Sequence, residues 1–283
     1  MLSSPPSPSE LSALLRLVDD PSPRVREKIA ARLRSFGAPA VEEAIQESEL
    51  ALSPAQREAL DDALRETPVP SSEDATALLR ADWRALAGER DEMRFLELSL
   101  WALSAWLGGD PTRRERGPRE LDALASEFRA SGGARNAGAL ARYLFGSGRL
   151  RGTLPARFYE AGASDLWQVL DRGEGLPISL ACVFILVGDR VGVPVVGCNF
   201  PGHFLAGDGE SNRLFDPYNA GRELSEREAA ALRATAPAET DAPASARAIV
   251  ARVLRNLSVA FHHAERGDDA ALLLELLREI AKL

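Results

Sequence analysis

Between residues 10 and 66, apolar positions recur at helical spacing in short runs that end at proline or glycine. Ser9 is placed to cap ELSALLRLVDD, and Pro21 and Pro23 interrupt the chain. In RVREKIAARLRSFG, Val25, Ile29, Leu33 and Phe36 share one helix face, and Gly37 is a C-terminal stop. Pro39 and Pro54 each suit the first turn of a further helix. VPSSEDATALL breaks the chain again and opens a capped helix. RFLELSLWALSAWLGG is apolar on most faces, so it predicts a central, buried helix. DPTRRERGPRE reads as a polar loop, and ELDALASEFRASGG as a helix closed by glycines.

The second half changes character. ASDLWQVLDRGEGLPISLACVFILVGDRVGVPVVGCNF predicts helix, loop, buried helix, turn and strand. A hairpin follows over 200–218, then a short helix in LSEREAAALR and a Pro/Ala linker over 234–245. The tail predicts two helices joined at Gly267.

Composition narrows the function classes. Of 283 residues 45% are hydrophobic, enough for a substantial core. The net charge of −8 and the lack of a basic stripe argue against nucleic acid. MLSSPPSPSE has no basic segment followed by an apolar run, so no signal peptide is expected. ISLACVFILVG is too short to span a bilayer. Two cysteines, Cys182 and Cys198, suit a reducing compartment. The expectation is a cytoplasmic protein without membrane or cofactor. His262 and His263 are adjacent, and no Cys or His spacing suits zinc, so no metal is expected. Trp83, Trp101 and Trp106 are spaced for core packing.

The candidate chemistry lies in FPGHFLAGDGESNRLFDPY. If Ala206 pairs with Arg213, His203 falls opposite Asp216, with Cβ atoms about 4.5–5.5 Å apart. That is the base and orienter of a nucleophile–base–orienter triad. The structural alternative is that His203 and the Asp-Pro pair shape turns.

Three segments in order, GLPISL, FPGHFL and FDPY, resemble the bacterial transglutaminase-like proteins described as regulators of sirC expression. That family is a branch of the transglutaminase-like (papain-like) superfamily. The resemblance covers roughly 95–283 if the tail is the family's TPR-like end. LLRLVDDPSPRVREKIAARLRSFGAPAVEEAI separately resembles a HEAT-type repeat, with one convincing copy. The superfamily order Cys, His, Asp maps His203 and Asp216 onto the last two roles. The nucleophile does not map, because the start of the buried helix reads Pro-Ile-Ser-Leu.

Cys182 lies five residues inside that helix among apolar neighbours and reads as a small buried hydrophobe. Cys198 precedes His203 on the same strand path and is poorly placed to meet it. Ser179, the third helical residue, is either a local cap or the hydroxyl of a Ser179–His203–Asp216 triad. The resemblance implies altered or lost chemistry, since the family also carries serine here. Its usual Asn-Ser is Ala163-Ser164 in this chain.

The expected architecture is α+β and mostly helical. A papain-like transglutaminase core, made of a buried helix and a small antiparallel sheet, is flanked by helical repeats. The expected divisions are a HEAT-like cap over 1–68, a transglutaminase-like domain over 69–233, and a linker with a TPR-like hairpin over 234–283. The expected function is a non-catalytic module that binds a peptide or protein segment. The alternative is an acyl-transfer hydrolase using Ser179 or a cysteine with His203 and Asp216.

Overall fold

The computed structural model describes residues 7–20, 22–36, 38–47, 52–64, 72–235 and 242–280. They fall into two compact units that divide between Val69 and Pro70. The expected stop at Gly37 and residues 236–241 of the Pro/Ala linker lie outside the described residues.

The first unit contains α1 (Pro8–Arg16), α2 (Pro23–Phe36), α3 (Ala38–Glu47) and α4 (Pro54–Leu64). Its core joins Leu11 and Leu15 to Leu33, Phe36, Val41 and Leu60. The helix expected to start after Ser9 begins earlier. Ser7 is its cap, with Oγ accepting from Glu10 N at 3.3 Å, because Pro8 suits the first helical position, where no N–H is needed.

The second unit opens with α5 (Ser72–Leu86), α6 (Glu92–Gly108) and α7 (Arg113–Ala130). Asp91 caps α6, with Oδ1 accepting from Arg94 N at 3.0 Å, and left-handed Gly109 ends it. Trp83, Trp101 and Trp106 are all buried. The loop expected at DPTRRERGPRE is mostly helix, with Pro118 inside α7. Tertiary contacts override the local signal there. Gly117 lies against Trp101, where an added Cβ would come within 2.3 Å of the ring, and Arg114 pairs with Asp82 at 2.5 Å.

The chain continues through α8 (Ala137–Ala141), a π-helical turn over Arg142–Gly146, and β1 (Arg151–Gly152). Two 3-10 turns, Pro155–Arg157 and Ala161–Ala163, lead to α9 (Leu166–Arg172), β2 (Glu174–Gly175) and α10 (Pro177–Val191). In α10 every residue from Ile178 to Gly188 is buried. β3 (Val195–Cys198), β4 (Leu205–Asp208), β5 (Leu214–Asp216) and β6 (Arg222–Glu223) form an antiparallel sheet in that order, and β1 pairs with β2 in parallel.

Strand alternation sorts the sheet's two faces. Phe204, Ala206 and Phe215 join the core around α10. Leu205 and Leu214 join Phe200, Leu224 and Ala229 in a second cluster under α11 (Glu226–Thr235). Ser225 and Glu228 start α11 reciprocally: Glu228 N donates to Ser225 Oγ at 3.3 Å, and Ser225 N donates to the Glu228 carboxylate at 2.8 Å.

The tail forms α12 (Ala246–His263) and α13 (Gly267–Ile280), turning at Gly267 as the sequence predicts. This hairpin shares the second unit's core. Phe261 meets Trp106 edge-on at 5.5 Å, and Trp83 Nε1 donates to Leu276 O at 3.2 Å. The architecture is therefore α+β and mostly helical. No described helix is long and apolar enough to cross a membrane.

Candidate functional site

The start of α10 is held by backbone neighbours rather than by a side-chain cap. Leu176, the N-cap, donates its N–H to Ala163 O at 3.0 Å. Just before it, Gly175 O accepts from Thr153 N at 3.0 Å. Thr153 O in turn accepts from the Tyr218 hydroxyl at 2.6 Å. Those bonds bring together the helix start, the β1–β2 pair and the turn after β5.

Ser179 sits in the first turn of α10, buried, and its Oγ has no hydrogen-bond partner among the described residues. The expected local cap is not made. A third-position side chain must reach back to the N-cap N–H, a task suited to Glu or Gln. Serine is too short, and that N–H is already taken by Ala163 O.

The hairpin register also departs from expectation. Ala206 pairs with Phe215 and Gly207 with Leu214, two residues from the assumed pairing with Arg213. The turn is tighter than assumed. Asp208 N donates to Arg213 O at 3.0 Å, and the Asp208 carboxylate accepts from Glu210 N at 3.1 Å and Ser211 Oγ at 2.9 Å. Continuing the ladder sets Leu205, not His203, across from Asp216.

His203 precedes β4 in an exposed loop, and its ring makes no hydrogen bond with the described residues. Asp216 instead caps the 3-10 turn Pro217–Asn219. Its carboxylate accepts from Tyr218 N at 3.1 Å, Asn219 N at 3.2 Å and Asn219 Nδ2 at 2.6 Å. Alternation along β5 puts Asp216 on the Leu214 side, away from Phe215 and α10. The expected His203–Asp216 pair is therefore absent.

Both cysteines are free thiols. Cys182 is buried as the apolar run predicts, and burial pushes its thiol up to about 12. Cys198 packs into the cluster under α11; burial pushes it up to about 11, opposed by the charge of Arg233. Among the described residues, no group of three His, Cys, Asp or Glu side chains is placed to hold a metal ion.

Sequence reasoning missed two sets of residues. Tyr218 and Asn219 are the working partners around Asp216, and the Asp-Pro-Tyr-Asn order was their signal. The second set is a buried cluster. Asp165 caps α9, and its carboxylate accepts from Ser104 Oγ at 2.5 Å, Trp167 N at 3.1 Å, and Arg113 and Gln168 at 3.2 Å each. Burial pushes the Asp165 carboxyl above the usual range, opposed by the Ser104 hydrogen bond and the Arg113 charge. Its members are scattered over three helices, so no local signal marks them.

Residues 116–255 match the model of the transglutaminase-like superfamily. A UPF0162 protein of Xylella fastidiosa strain Temecula1 is 41% identical over 128 residues, which cover 40% of this chain and 45% of that relative. A UPF0162 protein of Pseudomonas aeruginosa is 34% identical over 128 residues, with 40% and 43% covered. Mouse F-box only protein 21 is 32% identical over 81 residues, covering 25% of this chain and 13% of the mouse protein. This chain thus spans less than half the length of the bacterial relatives it matches. No solved structure matches significantly. The buried helix, the hairpin packed on it and the matched span agree: residues 116–255 carry a transglutaminase-like domain.

Proposed function

We propose that this domain binds a peptide or protein segment and does not transfer acyl groups. The observation behind this reading is that Ser179, His203 and Asp216 are not linked to one another. A general base works within hydrogen-bond reach of its nucleophile, about 2.6–3.2 Å. Here the Ser179 hydroxyl is buried without a partner, and the Asp216 carboxylate is occupied by Asn219. The cysteines do not substitute for it, because thiols at about 12 and about 11 hold almost no thiolate at neutral pH.

In this reading the protein is a cytoplasmic regulatory module, allied to the sirC-regulator proteins, with helical ends of HEAT and TPR type that add contact surface. The test is incubation of the full chain with fluorophosphonate and chloroacetamide probes, followed by intact-mass measurement. No adduct is expected on the native protein. An adduct on the wild type that disappears in both Ser179→Ala and His203→Ala, with both variants folded, would establish the acyl-transfer alternative.

A further inference from the structure

α12 is out of character with the chain around it. The protein carries a net charge of −8, yet this 18-residue helix, ARAIVARVLRNLSVAFHH, has three arginines, two histidines and no acid. Its inner residues, Ile249, Val250, Leu254, Leu257 and Phe261, are buried in the core. Arg255, Val259 and His262 follow one another at i, i+4 and i+7, and His263 lies one turn after Val259, so all four share an outward face. Val259 is 47% exposed. Arg255 has no hydrogen-bond or ion-pair partner among the described residues.

An aromatic pair extends this face. Tyr159 lies against the His263 ring, with centroids 4.3 Å apart and planes 32° apart, and Phe158 meets Tyr159 edge-on at 6.0 Å. Phe158 and Tyr159 are 39% and 55% exposed. The acid next to them, Glu160, is held by Arg157 at 3.1 Å.

The surface borders the candidate site at both ends. Arg252, one turn before Arg255, binds Asn199 Oδ1 and donates to Phe200 O at 3.3 Å, which ties α12 to the His203 loop. Leu154, which opens the turn leading to Phe158, directly follows Thr153, the partner of Tyr218.

We propose that this surface docks an acidic peptide segment carrying at least one bulky apolar side chain. The apolar side chain would pack on Phe158, Tyr159 and Val259. Its carboxylates would face the Arg255 guanidinium, a cation that no acid of α12 neutralises, with the His262 and His263 rings beside it as hydrogen-bonding groups. The proposal rests on the peptide-binding reading above and names the partner chemistry. Charge complementarity selects an acidic partner, and the exposed aromatic rings select an amphipathic one.

The test is fluorescence anisotropy of the full chain with a fluorescein-labelled peptide of alternating glutamate, leucine and phenylalanine. A second peptide carries lysine in place of glutamate. The acidic peptide should bind saturably, more weakly as salt rises, and the lysine peptide at least about tenfold more weakly. Arg255→Glu and Tyr159→Ala should each weaken the acidic peptide roughly tenfold. Both sites are exposed, and Arg255→Lys should restore most of the affinity while circular dichroism reports the fold. Equal binding of the two peptides, or affinity indifferent to both substitutions, would overturn the proposal while leaving peptide binding elsewhere on the domain intact. Tyr159-dependent sedimentation with phosphatidylserine vesicles, without peptide binding, would also overturn it and assign the surface to membranes. Probe adducts in the earlier experiment speak to catalysis alone, so the two failures are distinguishable.

Discussion

Two sets of polar side chains lie within the second unit and are built in opposite ways. Around Asp165, four donors from three helices converge on one buried carboxylate. Ser179, His203 and Asp216, by contrast, each stand apart: one buried without a partner, one exposed, one spent on its own turn. The first set crosslinks α6, α7 and α9. The second has the residue types of a catalytic triad without its hydrogen bonds. Residue type alone therefore does not separate a structural cluster from a reactive one. What separates them is where each polar atom's hydrogen bond goes.

That contrast breaks most sharply at Asp165. Asp165→Ala should destabilise the second unit by about 3 kcal/mol in chemical denaturation, because the buried Ser104 hydroxyl and Trp167 N–H lose their acceptor and the half-buried Arg113 keeps only the more distant Asp110 carboxylate, at 3.8 Å. Asp165→Asn separates charge from hydrogen bonding. Because the folded carboxyl sits above the ordinary range, wild-type stability should fall as pH rises through that raised value. Thermal melts between about pH 4 and 8 should show that slope in the wild type and lose it in Asp165→Asn. A flat wild-type profile would mean that Asp165 is ionised throughout and fully compensated.

Next in size is Asp216→Ala, which removes the acceptor for two backbone N–H groups and should cost roughly 1–2 kcal/mol. A smaller effect with the opposite sign is expected at Ser179. Replacing a buried, unpartnered hydroxyl by the best helix former should stabilise by up to about 1 kcal/mol. A loss of similar size would reveal a hydrogen bond that the contrast denies. His203→Ala should be the smallest, within about 0.5 kcal/mol, as for an exposed ring without a partner. Loss of more than 1.5 kcal/mol there would restore the His203–Asp216 pair.

Much of the fold was legible because its signals are local. The run from Ile178 to Val187 could only be a buried element, and its length and proline start made it a helix. That also determined the burial of Cys182, so its thiol chemistry followed from the sequence alone. The turn at Gly267, the start of α11 and the tryptophan core were legible for the same reason.

The site was not legible, because it depends on register and on long-range partners. A four-residue turn closed by Asp208 moved the β4–β5 pairing by two residues, which displaced His203 from Asp216. Alternation carries no information about such an even shift, since it leaves every side chain on its own face.

The sequence by itself determined which segments are buried, that the tail turns at Gly267, and which polar residue types the domain carries. Period, capping and turn chemistry act over a few neighbours. Tertiary structure alone decided whether those polar atoms meet, that α7 runs on through Pro118 against Trp101, and that Asp165 gathers donors from across the chain. Hydrogen bonds and close packing are set within a few tenths of an ångström by groups far apart in the chain: Ser104 and Asp165 are 61 residues apart, and Trp83 and Leu276 are 193. No local pattern encodes a distance of that kind.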